Sequence, residues 1–83
     1  MKTTSTSGMK KTGLHVLNTE PEYFEAVKRG DKTFEIRYND RDFKVGDVVG
    51  LCNIETDEKI YRTITYISDY KQQSGYVVLG IKK

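Results

Sequence analysis

Ionisable and aromatic residues alternate in the stretch from Gly30 to Arg41, which reads GDKTFEIRYNDR. Side chains point to opposite faces along a β-strand, so an extended segment over residues 32–38 has one polar and one apolar face. We expect the apolar face to pack in the core. A buried carboxylate and guanidinium need partners, so the polar face is either a structural ion pair or the floor of a polar cleft. The polar face carries Thr33, Glu35 and Arg37, and the apolar face carries Phe34, Ile36 and Tyr38.

Four residues of this stretch, Gly30, Lys32, Glu35 and Arg37, form the pattern Gly-x-Lys-x-x-Glu-x-Arg. The pattern resembles the motif of the ASCH domain, a PUA-like β-barrel whose members are thought to bind RNA. The resemblance covers roughly residues 14–82 and is of the kind seen in the small ASCH-like domains of bacteria and phages. Outside the motif it rests on His15, the Pro21 to Phe24 segment, Asn39, Asp40, Arg41, Phe43 and the Val45-Gly46-Asp47 turn.

The resemblance implies a module that binds RNA or a modified nucleotide in a polar cleft between the motif strand and a helix. Glu35 would orient Lys32 and Arg37 toward a phosphate or a base edge, since arginine offers a planar fork and lysine a point charge. The alternative is a surface strand with solvated charges. The candidate RNA-binding residues are His15, Lys32, Glu35, Arg37, Tyr38, Asn39, Asp40 and Arg41.

A small hydrolase is an alternative of another class, because some ASCH relatives deacylate an acetylated cytidine and others have been described as ribonucleases. By this resemblance, the lysine of the deacylases corresponds to Lys32. Their threonine nucleophile, however, corresponds to Glu35 in this chain. Thr33, on the same predicted face, is a candidate for a displaced nucleophile, and its hydroxyl would need a base. Lys32 and Glu35 are the catalytic candidates if the protein is a hydrolase. A protein-binding accessory factor is the third interpretation.

The chain has one histidine, His15, and one cysteine, Cys52. These counts exclude an internal disulfide and a multi-histidine metal site, and the sequence implies no cofactor. Cys52 lies on an apolar predicted strand, which favours a small buried hydrophobe over a nucleophile. We expect His15 either to line the cleft, as in the resembling domains, or to have a structural role.

Six tyrosines are many for a chain of 83 residues. A nucleobase can stack on an exposed ring, but tyrosine is also an ordinary half-buried residue of a small barrel. We expect Tyr38 and Tyr70 to flank the cleft and the other rings to belong to the core.

The formal net charge of +2 is too small to indicate nucleic-acid binding by itself. Positive charge is concentrated between Lys28 and Lys44, a stretch that contains six basic and four acidic residues. The residues predicted to reach phosphates are Lys28, Arg29, Arg37, Arg41 and Lys44.

The length of 83 residues allows one domain with one small core. Residues 1–13 are mainly Thr, Ser, Gly and Lys, a composition typical of a disordered basic tail, and residues 14–83 form the predicted ASCH/PUA-like domain. No apolar run is long enough for a signal peptide or a membrane span, so we expect a cytoplasmic protein with no membrane partner.

One helix is predicted over residues 20–29. Thr19 and Glu22 have the spacing of a capping box, and Pro21 suits the first turn. Gly30 suits the left-handed conformation that closes a helix. The residues expected to dock the helix on the barrel are Phe24 and Val27.

The rest of the chain alternates strand and turn signals, with strands predicted over residues 14–17, 32–38, 48–54, 60–68 and 76–81. Gly50 marks a bulge or a close approach of another segment. The pattern predicts an α+β fold, a small, mostly antiparallel, PUA-like β-barrel of about five strands with one N-terminal helix. Alternation places Ile60, Ile64 and Tyr66 on one face of the fourth strand, and the residues expected to face inward on the fifth strand are Val77, Leu79 and Ile81.

Overall fold

One curled sheet of five strands forms the body of the protein. The computed structural model describes residues 13–83, and the predicted tail lies outside them except for Gly13. The sheet has the order β1-β3-β4-β5-β2, with β1 parallel to β3 and every other pair antiparallel. It curls into a half-barrel, which confirms an α+β fold with five mostly antiparallel strands and one helix. The elements are β1 (Leu14–Thr19), α1 (Pro21–Arg29), β2 (Phe34–Tyr38), β3 (Val48–Asn53), β4 (Lys59–Ser68) and β5 (Tyr76–Lys82).

The strands β1 and β2 occupy the two edges of the sheet, although only α1 and a short loop separate them in the chain. The chain leaves β1 at one edge, crosses through α1 to β2 at the other edge, and returns to place β3 beside β1. Residues at the end of β1 and residues of β2 can therefore meet only because the sheet curls. This meeting point is where the candidate site lies.

The helix α1 begins with Pro21, whose missing N–H is no loss in the first turn. Gly30 ends it in the left-handed conformation, with φ of 90°, and donates its amide to the carbonyl of Val27 at 3.0 Å. The predicted capping box is wrong, because Glu20 holds the N-cap position and no side chain caps the helix. Thr19 is instead the last residue of β1, where it pairs with Asn53. Thr19 belongs to the strand instead of the helix because pairing with β3 satisfies the hydrogen bonds of its backbone.

Ten buried apolar side chains form the core between the sheet and the helix. Phe24 and Val27 are buried in it, as predicted for the docking face of α1. The inward-facing residues of β5 are also the predicted ones. The core residues are Leu17, Phe24, Val27, Phe43, Val49, Leu51, Ile64, Val77, Leu79 and Ile81.

A β-bulge in β4 changes which side chains face the core. The register between β4 and β5 shifts between Ile64 and Tyr66, so that Thr65 is an extra residue on β4. An extra residue reverses the alternation of the strand beyond it. Tyr66 is consequently 64% exposed and does not share the face of Ile64, contrary to the prediction, and Ile67 packs against the core instead.

The faces of β2 are also reversed relative to the prediction. Its apolar residues are exposed, and its acidic residue Glu35 is buried, with 4% of its surface accessible. The register explains the reversal, because Glu35 lies opposite Leu79 and Arg37 opposite Val77, and both partners on β5 face the core. The exposed fractions on the outer face are 43% for Phe34, 51% for Ile36 and 56% for Tyr38.

Candidate functional site

A buried carboxylate held between two cations forms the floor of the candidate site. Lys32 Nζ donates to Glu35 Oε2 at 3.0 Å, and Arg37 Nε donates to Glu35 Oε1 at 3.1 Å. The Glu35 side chain is 5% exposed, whereas those of Lys32 and Arg37 are 19% and 24% exposed. Each carboxylate oxygen therefore has a charged donor, and both cations keep a surface turned to solvent.

Arg37 also joins the two edges of the sheet. Its Nη2 donates to the carbonyl oxygen of Asn18 at 3.0 Å and lies 3.4 Å from the hydroxyl oxygen of Thr19. Because Nε is bonded to Glu35, the guanidinium plane is fixed by partners on both edge strands. Within residues 13–83, its Nη1 makes no hydrogen bond and remains free to donate to a ligand.

Lys32 is fixed by a carbonyl and by two aromatic rings as well as by Glu35. Its Nζ donates to the carbonyl oxygen of Phe34 at 2.7 Å. It lies 4.8 Å from the ring centroid of Phe34 and 5.6 Å from that of Tyr23, within cation–π range. The ammonium is thus a positioned charge rather than a freely moving one.

These residues line an open cleft of about 630 Å³ between the N-terminal end of α1, the end of β1 and the strand β2. Two cations and two carboxylates line it, so its formal charge is zero despite the arginine and lysine on its floor. Four aromatic rings form much of its wall. The lining residues are Asn18, Thr19, Glu20, Tyr23, Lys32, Phe34, Glu35, Ile36, Arg37, Tyr38 and Tyr76.

The structure brings together four of the predicted site residues, Lys32, Glu35, Arg37 and Tyr38, in this cleft. Three others follow β2 outside it. Asp40 and Arg41 border a neighbouring depression of about 250 Å³ that Arg37 and Tyr38 also line. Asn39 stabilises the following turn, because its side-chain oxygen accepts the amide of Phe43 at 3.0 Å.

His15 does not line the cleft but forms a hydrogen-bonded pair with Asp47. The distance from its Nε2 to Asp47 Oδ2 is 2.8 Å, and the same carboxylate accepts the amides of Gly13 at 3.0 Å and Lys44 at 3.1 Å. Burial tends to raise the pKa of Asp47, but these hydrogen bonds outweigh burial and lower it. His15 also packs edge-on against Phe43, with ring centroids 4.8 Å apart. The geometry gives His15 a structural place at the start of β1.

Several residues of the cleft were not predicted from the sequence. Thr19 was assigned to a helix cap, and Asn18 had no assigned role. The alternation that carries His15, Leu17 and Thr19 to one face of β1 was the available signal. No pattern in the sequence predicts the contacts of Arg37 with this strand, because these contacts depend on how far the sheet curls. The aromatic residues missed are Tyr23, Phe34 and Tyr76.

Lys32 and Glu35 meet in the cleft, but the two residues weighed as nucleophiles, Thr33 and Cys52, lie outside it. Thr33 precedes β2, is exposed, and lines a groove behind α1 instead of the cleft that contains Glu35. Cys52 is buried on β3, as predicted. Tyr70 is 75% exposed and lies under the ammonium of Lys71, 5.7 Å away, rather than at the cleft.

Neither a metal-binding cluster nor a membrane-crossing helix occurs in residues 13–83. No three His, Cys, Asp or Glu side chains there are grouped so as to hold a metal ion. The one helix that this part of the chain contains is too short to cross a bilayer.

The fold and the site define a small α+β domain in which a half-barrel sheet brings two edge strands together at a polar, aromatic-walled cleft. The chain belongs to the family described as Domain of unknown function (DUF3850), whose model matches residues 14–81. That span includes the whole cleft. No curated protein matches the chain.

Proposed function

We propose that this protein is a PUA-like, ASCH-type module that binds RNA or a modified nucleotide, with one nucleotide in the cleft. The observation that carries the proposal is the buried Glu35 holding Lys32 and Arg37 at the floor of an aromatic-walled cleft. Lys32, Glu35 and Arg37 are three of the four residues in the Gly-x-Lys-x-x-Glu-x-Arg pattern. The five-stranded half-barrel with one helix is also compatible with a PUA-like fold.

The charges of the floor favour one precise polar contact over general attraction of anions. Glu35 neutralises one of its two cations, so the floor offers donors in fixed directions with little excess charge. A guanidinium that is fixed in its plane can donate to a base edge or to a single phosphate. Opposite charges placed in this way increase specificity more than they increase affinity.

The aromatic wall supplies the second element of nucleotide recognition. Tyr23, Phe34, Tyr38 and Tyr76 are all exposed and all line the cleft. Tyr38 and Tyr76 meet edge to face, with centroids 5.4 Å apart, so each limits the movement of the other. Stacking of a base on such a ring contributes about 1–3 kcal/mol without requiring a particular sequence.

Fluorescence anisotropy with labelled single-stranded RNA, and calorimetry with free nucleosides and nucleotides, test the proposal. Arg37→Ala should weaken binding at least tenfold, because it removes the fixed donor. The matched control is Lys59→Ala, which removes one exposed positive charge outside the cleft and should leave binding unchanged. Circular dichroism of both variants verifies that they fold.

Absence of binding to every RNA and nucleotide at low salt would overturn the proposal, as would binding that is indifferent to Arg37. Release of acetate from acetylated cytidine, or cleavage of the RNA, would instead indicate the hydrolase alternative. Turnover would then have to depend on Lys32 and Glu35.

A further inference from the structure

A second groove lies behind α1, at the end of the helix opposite the cleft. Its volume is about 230 Å³, and its floor includes Val27 and Ile81. Six basic side chains line it and no acidic side chain does, in contrast to the balanced charges of the cleft. The six cations are Lys28, Arg29, Lys32, Arg62, Lys82 and Lys83.

Half of these cations have no carboxylate partner within residues 13–83, although Arg62 Nη1 donates to the carbonyl oxygen of Tyr61 at 2.9 Å. Lys28 is bound to Glu58 at 2.6 Å, Arg29 to Asp31 at 2.9 Å, and Lys32 to Glu35. The other three form no ion pair with any carboxylate of residues 13–83, and the lysines among them are exposed. Those three are Arg62, Lys82 and Lys83, which lie on β4, on β5 and directly after β5.

Lys32 connects the two sites, since it lines both the cleft and the groove. A chain that leaves the cleft past Lys32 therefore enters the groove directly. The cleft provides rings and oriented donors, whereas the groove provides uncompensated positive charge. This division matches the two parts of a nucleic acid, because bases stack and accept directed hydrogen bonds and phosphates respond to charge.

We infer that the groove binds the phosphate backbone of a single-stranded RNA that continues from the nucleotide in the cleft. The inference rests on the proposed function and adds the length and the path of the ligand. A single strand fits better than a duplex because a base can enter the cleft only when it is unpaired. Phosphates at Arg62, Lys82 and Lys83 would replace the counterions of the RNA and make binding salt-dependent.

The test compares a ten-nucleotide and a two-nucleotide single-stranded RNA of the same 5′ sequence over a salt series. Wild type should bind the longer RNA more tightly. The double variant R62A/K82A should weaken binding of the longer RNA roughly tenfold or more and flatten its slope of log affinity against log salt by about 1.4, at about 0.7 for each lost contact. Binding of the dinucleotide should not change. The matched control is K59A/K71A, which removes two exposed charges outside the groove.

Equal affinity of wild type for the two lengths would overturn the inference, as would a slope unaltered by R62A/K82A. Equally tight binding of duplex RNA would overturn the single-stranded path. If Arg37→Ala abolishes binding while R62A/K82A has no effect, the proposed function of the cleft is supported and the inference about the groove is overturned. If wild type binds neither RNA, the inference is overturned. The proposed function fails with it if no other RNA and no free nucleotide binds at low salt.

Discussion

The guanidinium of Arg37 donates to the carbonyl oxygen of Asn18 at 3.0 Å, and these two residues belong to opposite edges of the sheet. The edges are thus joined here by a side chain instead of a backbone ladder. The same guanidinium binds Glu35 through Nε. One residue therefore contributes both to the closure of the half-barrel and to the floor of the cleft.

Replacing Arg37 by lysine should separate charge from geometry. Lysine keeps the positive charge, but it has no planar fork with which to contact Glu35 and Asn18 together. We expect the free energy of unfolding to fall by about 1.5–3 kcal/mol, the range for one hydrogen bond to a charged group, and RNA affinity to fall with it. Urea unfolding measures the first quantity. Arg41→Lys is the matched control, because the one ion pair of Arg41 within residues 13–83 is a long contact with Asp40, at 3.9 Å. It should change stability by less than about 0.5 kcal/mol.

The variant Glu35→Gln should be costly for stability. It keeps the shape of the side chain but leaves Lys32 and Arg37 facing each other without the carboxylate that they share. We expect a loss of about 3 kcal/mol, the lower end for breaking a buried pair, because both cations retain some solvent. Glu58→Gln breaks an exposed pair with Lys28 and should cost far less, because water solvates both charges when they separate. Equal midpoints in urea for the two variants would contradict a structural role for Glu35.

The same Glu35→Gln variant should bind RNA differently, provided that it is assayed below its unfolding temperature. Removing the carboxylate adds a net positive charge to the cleft and releases Arg37 from one of its partners. Non-specific binding should be intact or stronger, and preference among sequences or modified bases should decrease. Competition between two RNAs of equal length measures that preference.

The side chain of Phe24, on the inner face of α1, is completely buried, so its truncation should affect the whole core. Phe24→Ala should destabilise the protein by roughly 3–5 kcal/mol, which approaches the total stability of many small domains. Tyr23→Ala, one residue earlier, removes a half-exposed ring and should cost much less while weakening nucleotide binding. A melting temperature for Phe24→Ala within a degree or two of wild type would show that the helix does not depend on this contact.

Asp47 should make stability depend on acid pH. Its pKa is lower in the folded protein than its ordinary value of 3.8, so the ionised form stabilises the fold. That contribution is complete above about pH 4 and is lost as the pH falls through the folded pKa. Asp47→Asn should destabilise the protein at neutral pH, because the amide lacks the charge that His15 and the amides of Gly13 and Lys44 bind, and its difference from wild type should narrow at lower pH. The exposed Asp69→Asn is the control, and parallel pH profiles for Asp47→Asn and wild type would contradict the expectation.

Local patterns predicted the parts of the fold that depend on neighbours in the chain. Pro21 and Gly30 mark the ends of α1 because they act through backbone conformation within one turn. Gly50 was expected to allow a close approach, and a Cβ there would lie 2.8 Å from the ring of Tyr61 on β4. The inward face of β5 followed from simple alternation.

Positions that depend on pairing between distant segments were predicted wrongly. Alternation in β2 correctly separated Glu35 from Phe34, but it cannot say which face is inside, because that depends on the register with β5. Apolar content suggested the wrong face, since a carboxylate with two cationic partners can be buried. Tyr66 was misplaced by a bulge that exists only in the pairing of β4 with β5. The lining of the cleft could not be predicted in full, because it includes residues from both edges of the sheet and no local sequence pattern shows that these edges meet.

The strand order has a consequence for the sequence of events in folding. The pairs β3–β4 and β4–β5 connect strands that follow each other in the chain, whereas β1 and β2 must each find a partner across intervening elements. Because closing longer loops costs more entropy, we expect the three central strands to form first and the two edges to dock last. The edges should also open first in the native state, and amide hydrogens of β1 and β2 should exchange with solvent faster than those of β4. A ligand that touches both edges would slow exchange there most, so deuterium uptake would report occupancy of the cleft from the backbone of the strands that build it.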